Sequence, residues 1–199
     1  MGTASAVIAV VLLCACGGSR PIKYYTVEIP AAPDAAAPEQ RPVSLLVSRV
    51  SAPAILRDER VVYRNGSNEM GTYEYHRWAE PPATLVELML LRLLRSSGKY
   101  RSVSEFGSTS HGDFVLHGRL YDFEEVDQNG ITARVAMEFE LQRMKNGDTV
   151  WNHFYTHDEP SNGQNVSDVV QALDRNLQRG LADVVAALER YLQNGGSKN

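Results

Sequence analysis

Hydrophobic and polar residues alternate along two long stretches of the chain, residues 113–126 and 131–143. Alternation places every second side chain on the same face, so each stretch is predicted to be a β-strand with one buried face. An Asn-Gly pair at 129–130 favours a hairpin between them. A hairpin through this pair would set Leu120 opposite Phe139, and both apolar rows would then meet the same core.

A second Asn-Gly pair, at 146–147, predicts another hairpin leading into a strand at 149–156. In the predicted register Leu141 lies opposite Asn152, and Phe139 lies opposite Phe154. Three residues of this strand are then expected on the other, half-exposed face of the sheet: Trp151, His153 and Tyr155.

Two stretches instead space their apolar residues by three and four positions, which is typical of helices with one buried stripe. The first, residues 83–97, follows a Pro-Pro pair and ends before Gly98, a residue that commonly terminates helices. Its predicted stripe includes Leu85, Met89 or Leu88, and Leu93. The second runs from Ser167, the expected N-cap, to Leu192.

Shorter β-prone segments occupy residues 23–29, 43–50, 61–64 and 71–78. Residues 30–42 contain four prolines in thirteen positions and are expected to form an exposed extended loop. The elements together predict an α/β (α+β) fold. We expect a single domain with a mainly antiparallel mixed sheet, packed by two long helices on one face.

The N-terminus carries an apolar segment at residues 6–13. It is far shorter than the ~20 residues that a membrane-spanning helix needs. Small residues and Cys16 follow it, which resembles the lipobox of bacterial lipoproteins, with Cys16 as the lipid attachment site. Cys14 would leave with the signal peptide, so no disulfide is expected. The alternative is an ordinary secretory signal that contains two incidental cysteines.

This interpretation divides the chain into four parts. Residues 1–15 are the predicted signal peptide, 16–23 a lipidated tether, 24–193 the folded domain and 194–199 a flexible tail. The 199 residues include 20 basic and 24 acidic side chains, a net charge of −4. A sequence-independent nucleic-acid binder needs a basic excess, so nucleic acid is excluded as a partner.

Motifs for catalysis and cofactor binding do not occur in the sequence. It has no Gly-x-Ser-x-Gly elbow, phosphate-binding Gly loop or Cys-x-x-Cys pair, so we expect no enzyme activity, no catalytic residue and no cofactor. His153 and His157 would lie about 13 Å apart on a strand, too far to share a metal ion. A calcium-loop-like run beginning at Glu125 has Ala136 where a bidentate Glu is required. We therefore expect no metal site.

Arginine and aromatic residues concentrate between positions 57 and 78, and these residue types are enriched at protein interfaces. The candidate partner-binding residues are Arg57, Arg64, Tyr73, Tyr75 and Trp78. The alternative is a structural hairpin with solvated arginines and aromatic rings half-packed under the first helix.

Several segments in a fixed order make the chain similar to a known family. They are the lipobox, Tyr24-Tyr25-Thr26-Val27, the proline-rich gap, Leu45-Leu46-Val47, Leu56-Arg57-Asp58, Val61-Val62-Tyr63-Arg64, Tyr75, Trp78-Ala79-Glu80-Pro81 and a leucine-rich helix. This order resembles the ABC-type transport auxiliary lipoprotein family, from Cys16 to about Leu192.

The resemblance implies a lipoprotein without a catalytic site that works beside an ABC permease complex and an Mce-domain periplasmic protein to move lipids across the envelope. In bacterial lipoproteins an Asp directly after the lipidated cysteine often retains the protein at the inner membrane, and this chain has Gly17 and Gly18 there. The resemblance therefore implies the inner leaflet of the outer membrane, with the domain facing the periplasm. Two alternatives are a stand-alone lipid- or peptidoglycan-binding lipoprotein and a lipoprotein that assists an outer-membrane barrel. The lipid, the transport direction and the oligomeric state, a homo-oligomer included, stay open.

Overall fold

The computed structural model describes residues 20–28 and 41–195. The predicted signal peptide, Cys16, most of the proline-rich loop and the last four residues lie outside these ranges. No helix in the described part is long and apolar enough to cross a membrane.

Eight strands and two helices make up this part of the chain. The strands are β1 (Lys23–Tyr25), β2 (Arg41–Val47), β3 (Arg60–Asn65), β4 (Glu69–Trp78), β5 (Tyr100–Glu105), β6 (Phe114–Asp127), β7 (Ile131–Arg143) and β8 (Thr149–Pro160). The helices are α1 (Pro82–Ser96) and α2 (Val166–Gln193), and a short 3₁₀ turn covers Ala54–Arg57. Strand β5 is the one strand of this part that the sequence pattern does not predict.

Strand β6 organises the single mixed sheet. One of its edges pairs antiparallel with β7 over the full strand, and β7 in turn pairs antiparallel with β8. The other edge pairs in parallel with β2 at one end and with β3 at the other. From there β5 extends the sheet beyond β2, while β4 and then β1 extend it beyond β3. The longest pairings are antiparallel, and the predicted fold class is confirmed.

The register of the first hairpin differs from the predicted one by two residues. Leu120 pairs with Met137, and Phe139 faces Gly118. Asp127 pairs with Ile131, so the loop has three residues, and an irregularity at Tyr121 shifts the register by one more. Across residues 114–120 this two-residue shift keeps every side chain on its predicted face, so the apolar rows still meet in the core. Beyond the irregularity the shift is only one residue, so residues 122–127 lie on the faces opposite to those that continued alternation predicts.

The register of the second hairpin differs by one residue, and the predicted faces of β8 are therefore wrong. Leu141 pairs with Trp151 and Phe139 with His153, so the odd-numbered residues of β8 lie on the helix side. Phe154 points to the other face and is 56% exposed. The physical cause is an irregularity at Val150, between the pairs Leu141–Trp151 and Gln142–Thr149.

Both helices have the ends that their sequence favours. Pro81 precedes α1, Pro82 occupies its first turn, and Gly98 follows its end with φ of +62°. Helix α2 begins two residues earlier than predicted, because the N-cap is Asn165 rather than Ser167. The Asn165 side chain accepts a hydrogen bond from the backbone N–H of Asp168 at 3.1 Å.

The two helices contact each other and cover the same face of the sheet, here called the helix face. The main core lies between them and the sheet, and its largest fully buried side chains include Trp78, Phe123 and Phe139. Neither helix packs on the opposite face, here called the open face. Leu46, Val115 and Val126 are buried there but do not belong to the main core.

Candidate functional site

The predicted lipid attachment residue, Cys16, lies outside the described residues, so its acylation stays a prediction. The described chain begins at Arg20, only four residues further on. Residues 20–24 are exposed, and β1 follows at the outer edge of β4. A lipid on Cys16 would therefore hold the domain at this edge of the sheet.

Arg57 is the one predicted partner residue whose side chain extends freely from the surface. It ends the 3₁₀ turn and is exposed. Its guanidinium makes no ion pair within residues 20–28 and 41–195. It is available to a partner without first breaking an internal contact.

Arg64 is committed to an internal contact on the open face. Its Nε donates to Glu124 Oε1, and its Nη2 lies 3.8 Å from Asp122 Oδ1. The Glu124 side chain is fully buried, and burial raises its pKa while the Arg64 guanidinium opposes that shift. Arg64 therefore neutralises a buried carboxylate.

Tyr73 lies on the helix face, on the other side of the sheet from Arg64. Its hydroxyl donates to Glu125 Oε2 at 2.8 Å, and its ring lies 5.0 Å from that of Tyr63. Burial, followed by the hydrogen bond to Glu125, raises the pKa of Tyr73 above its ordinary value. The hydroxyl is a neutral donor that stabilises the buried Glu125 carboxylate.

Tyr75 and Trp78 have different exposures. Tyr75 is half-buried on β4. Trp78 is fully buried, with its ring 5.1 Å from Phe123 and 6.4 Å from Tyr25. The prediction of Trp78 as a partner contact is wrong in this structure, because an indole in the core cannot reach a partner.

The candidate residues thus do not form one surface. Alternation along β3 places Tyr63 and Arg64 on opposite faces of the sheet, and Tyr73 lies on the same face as Tyr63. The pairing of β3 with β4 is irregular between Arg60 and Val62. Beyond this irregularity, the residues of β4 lie on the faces opposite to those that strict alternation predicts. The sequence pattern carries no signal for this irregularity. The irregularity places residues that are close along the chain on different faces of the sheet.

A polar and aromatic cluster that the sequence analysis missed joins β1, β4 and α2. Tyr25 Oη lies 2.8 Å from His76 Nδ1 and 3.2 Å from Ser167 Oγ, and the Tyr25 ring stacks on the His76 imidazole. Burial, and then the nearby Lys23, lower the pKa of His76. The cluster fixes β1 to the start of α2, so the segment nearest to Cys16 is held against the domain.

Two further regions of the surface hold charged residues or form a cleft. Arg134 forms a two-bond ion pair with Asp158 on the open face, at 2.7 Å for each contact. A cleft of about 550 Å³ near the start of β6 is lined by apolar and basic residues, among them Phe114, Met144, Arg143 and Lys145. In the described part of the chain, no three His, Cys, Asp or Glu side chains are placed to hold a metal ion.

Comparison with known structures gives the fold. A crystal structure of a protein from Xanthomonas campestris is 23% identical to the chain, with a TM-score of 0.72, and the match covers 82% of this chain and 92% of that one. A Chlamydia trachomatis protein is 10% identical with a TM-score of 0.54, covering 80% and 100%. No curated protein sequence matches the chain.

The family follows from the sequence itself. The model of the ABC-type transport auxiliary lipoprotein component family matches residues 25–186, which is most of the described domain. The chain belongs to this family. The description of the family names a transport auxiliary component and a lipoprotein, not an enzyme.

Proposed function

We propose that this chain is the outer-membrane-anchored periplasmic lipoprotein of an Mce-type ABC transport system, which moves lipids across the envelope. Its role is to dock the periplasmic part of the system at the outer membrane. The observation that carries the proposal is the family match, which covers the domain from β1 to the last third of α2. The anchor is the lipid on Cys16.

The packing between the sheet and the helices supports docking over storage of a lipid. A stand-alone lipid-binding lipoprotein would hold an acyl chain between these layers. In this structure that space is filled by apolar side chains of both layers, and Phe139, Leu177 and Leu181 have no exposed surface. Protein contacts at the surface therefore suit the domain better than an interior lipid site does.

Arg57 and Tyr75 are the surface residues that we propose for the docking contact. Arg57 is exposed in the 3₁₀ turn, and Tyr75 is half-buried on β4. Arg64 and Tyr73 serve internal carboxylates, so their substitution would affect the fold as well as a partner. Binding energy at interfaces usually concentrates in a few Arg, Tyr and Trp residues.

Cell fractionation tests the anchor. Full-length chain and its Cys16→Ser variant are expressed, the membranes are separated, and the mature N-terminus is examined by mass spectrometry. We expect acylated Cys16 and outer-membrane fractionation for the parent, and loss of both for the variant. A variant that stays in the outer membrane would contradict the proposed attachment.

Co-isolation from the same cells tests docking. The expected partners are the ABC permease complex and the Mce-domain periplasmic protein. Arg57→Ala or Tyr75→Ala should weaken the binding by at least about 2 kcal/mol if either residue is a hot spot. Arg92→Ala is the matched control, because Arg92 is exposed on α1. Unchanged co-isolation for both test variants would place the contact elsewhere, and co-isolation of an outer-membrane barrel alone would favour the barrel-assisting alternative.

A further inference from the structure

A row of three side chains crosses the open face at the edge of the sheet nearest to the anchor. Tyr24 of β1 pairs with Arg77 of β4, and Arg77 pairs with Arg60 of β3. Paired residues of neighbouring strands share a face, so the tyrosine and the two arginines lie side by side. This set is called the Tyr-Arg row.

The two arginines of this row lie opposite each other, and neither has an ion-pair partner in the described chain. Like charges directly opposite each other on antiparallel strands repel. Neither guanidinium forms an ion pair with a carboxylate of residues 20–28 or 41–195, and Arg77 Nε has no hydrogen-bond partner there. An anionic surface placed against the row would remove this repulsion.

The exposed aromatic and aliphatic side chains beside the row suit a membrane interface. Tyr24 is 62% exposed and Ile22 is 42% exposed, and Arg20 and Lys23 are exposed on the same segment. Tyrosine rings favour the headgroup region of bilayers, and basic side chains are attracted to anionic lipids. Asp58 and Glu80 are also exposed and lie close in sequence to Arg60 and Arg77. They reduce the net positive charge of this surface.

The length of the chain before this segment brings it to the bilayer. Arg20 is four positions after Cys16, and four residues of extended chain span at most about 14 Å. A lipid on Cys16 would thus keep Arg20 close to the headgroups, and residues 21–24 follow it directly. A single basic patch together with acyl chains is a known way for a protein to lie against a membrane.

We propose that the Tyr-Arg row lies against the anionic headgroups of the membrane that holds the Cys16 lipid. This inference rests on the proposed attachment at Cys16. It fixes the orientation of the domain: the edge formed by β1 and β4 lies at the bilayer, and the outer side of α1 and the β5 edge point away from it.

Spin labels on the acylated full-length product test this orientation. The protein is reconstituted into vesicles of phosphatidylethanolamine with phosphatidylglycerol, and separately into phosphatidylcholine vesicles. A label is attached at Tyr24→Cys or, as the matched control, at Leu88→Cys on the exposed side of α1. We expect the label at position 24 to collide severalfold more with oxygen than with a water-soluble nickel complex, and the label at position 88 to show the reverse.

Charge reversal tests the role of the arginines. Arg60→Glu, alone or with Arg77→Glu, should move the label at position 24 into water in the vesicles with phosphatidylglycerol, whereas Arg92→Glu should leave it at the headgroups. Arg60 is exposed, so the single variant keeps the test valid if the double variant does not fold. Circular dichroism checks the fold of each variant.

The outcomes separate this inference from the proposed function. Protein that fails to float with vesicles and takes up a label at Cys16 would show that the lipid attachment itself is wrong. Protein that floats while the label at position 24 stays in water in both vesicle types would overturn the inference alone. Protection of that label only after an envelope protein is added would also overturn it, because the row would then serve a protein partner.

Discussion

The two faces of the sheet carry neighbouring buried carboxylates that are stabilised differently. Glu125 points to the helix face and accepts a hydrogen bond from the neutral Tyr73 hydroxyl. Glu124 points to the open face and pairs with the Arg64 guanidinium. Burial raises the pKa of both carboxyls, and the Arg64 and Tyr73 contacts oppose it. No helix covers the open face. There an ion pair with Arg64 stabilises the Glu124 carboxylate, in place of packing against a helix.

The same contrast extends along β7 and β8. On the helix face, Asn176 of α2 is fully buried and donates to the carbonyl oxygens of Ala133 and His157, both at 2.8 Å. On the open face, Arg134 and Asp158 are partly exposed and pair across the strands. Apolar burial therefore dominates the helix face, whereas charge pairing in partial contact with water dominates the open face.

The largest expected effect is the loss of a core ring on the helix face. Phe139→Ala should lower the free energy of unfolding by about 3 to 5 kcal/mol, because the side chain is fully buried. Phe154→Ala, on the open face of the adjacent strand, should change it by less than about 0.5 kcal/mol. Chemical denaturation measures both values, and similar losses for the two variants would contradict the assignment of faces.

Breaking the buried ion pair of the open face should have the next largest effect. Arg64→Met leaves the Glu124 carboxylate buried without its partner, which costs about 3 kcal/mol at neutral pH. Adding Glu124→Gln removes the charge, so the double variant should recover much of the loss. A double-mutant cycle by denaturation measures the coupling, and additive losses would show that the pair contributes little.

A smaller effect is expected where α2 packs on β8. A Cβ atom at Gly180 would lie 2.5 Å from Met137 Cε and 2.6 Å from the Tyr155 ring. Gly180→Ala should therefore destabilise the domain by about 1 to 3 kcal/mol, although alanine favours helices by about 1 kcal/mol. A thermal melt checks this, with Ala182→Gly on the exposed side of α2 as the control for helix propensity. Stabilisation by Gly180→Ala would mean that Tyr155 faces away from α2.

The smallest effect is a change in pH dependence at Glu125. A carboxyl whose pKa is raised by folding contributes stability at low pH, and this contribution is lost as the pH rises from about 4.5 through the folded-state pKa. Glu125→Gln mimics the protonated form, so its stability should fall less over that range. The pKa of Glu124 is also raised, so its contribution to stability is likewise lost as the pH rises. The Arg134 contact lowers the pKa of Asp158, so the contribution of Asp158 is instead lost as the pH falls.

Denaturation at several pH values measures this difference. Glu140→Gln, at an exposed position of β7, controls for removal of one negative charge. A Glu125→Gln profile with the same slope as the parent would contradict the buried position of this carboxyl.

The strongly periodic parts of the chain could be predicted from the sequence, and the places where strands lose their regular pairing could not. The long hairpin and both helices follow from residue spacing and turn residues. Strand β5 was missed because only Tyr100 and Val103 are apolar. The irregularity at Val150 exchanged the faces of β8, since a one-residue shift moves every side chain to the opposite side.

The positions of the candidate partner residues on the sheet could not be predicted from the sequence either. Their faces depend on the irregularity in β4. The Tyr-Arg row depends on a parallel pairing between β1 and β4 that spans 53 positions of sequence, from Tyr24 to Arg77. Local periodicity carries no signal for a contact over that distance. The Tyr-Arg row could be recognised only once the order of the strands in the sheet was known.

Crosslinking in intact cells tests the docking account most directly. A photoreactive amino acid replaces Arg57 in the full-length chain, and replaces Arg92 in the control. After irradiation, the crosslinked proteins are identified by mass spectrometry. The account predicts that position 57, and not position 92, captures an Mce-domain periplasmic protein or the ABC permease complex. Capture of peptidoglycan or of an outer-membrane barrel alone at position 57 would contradict it.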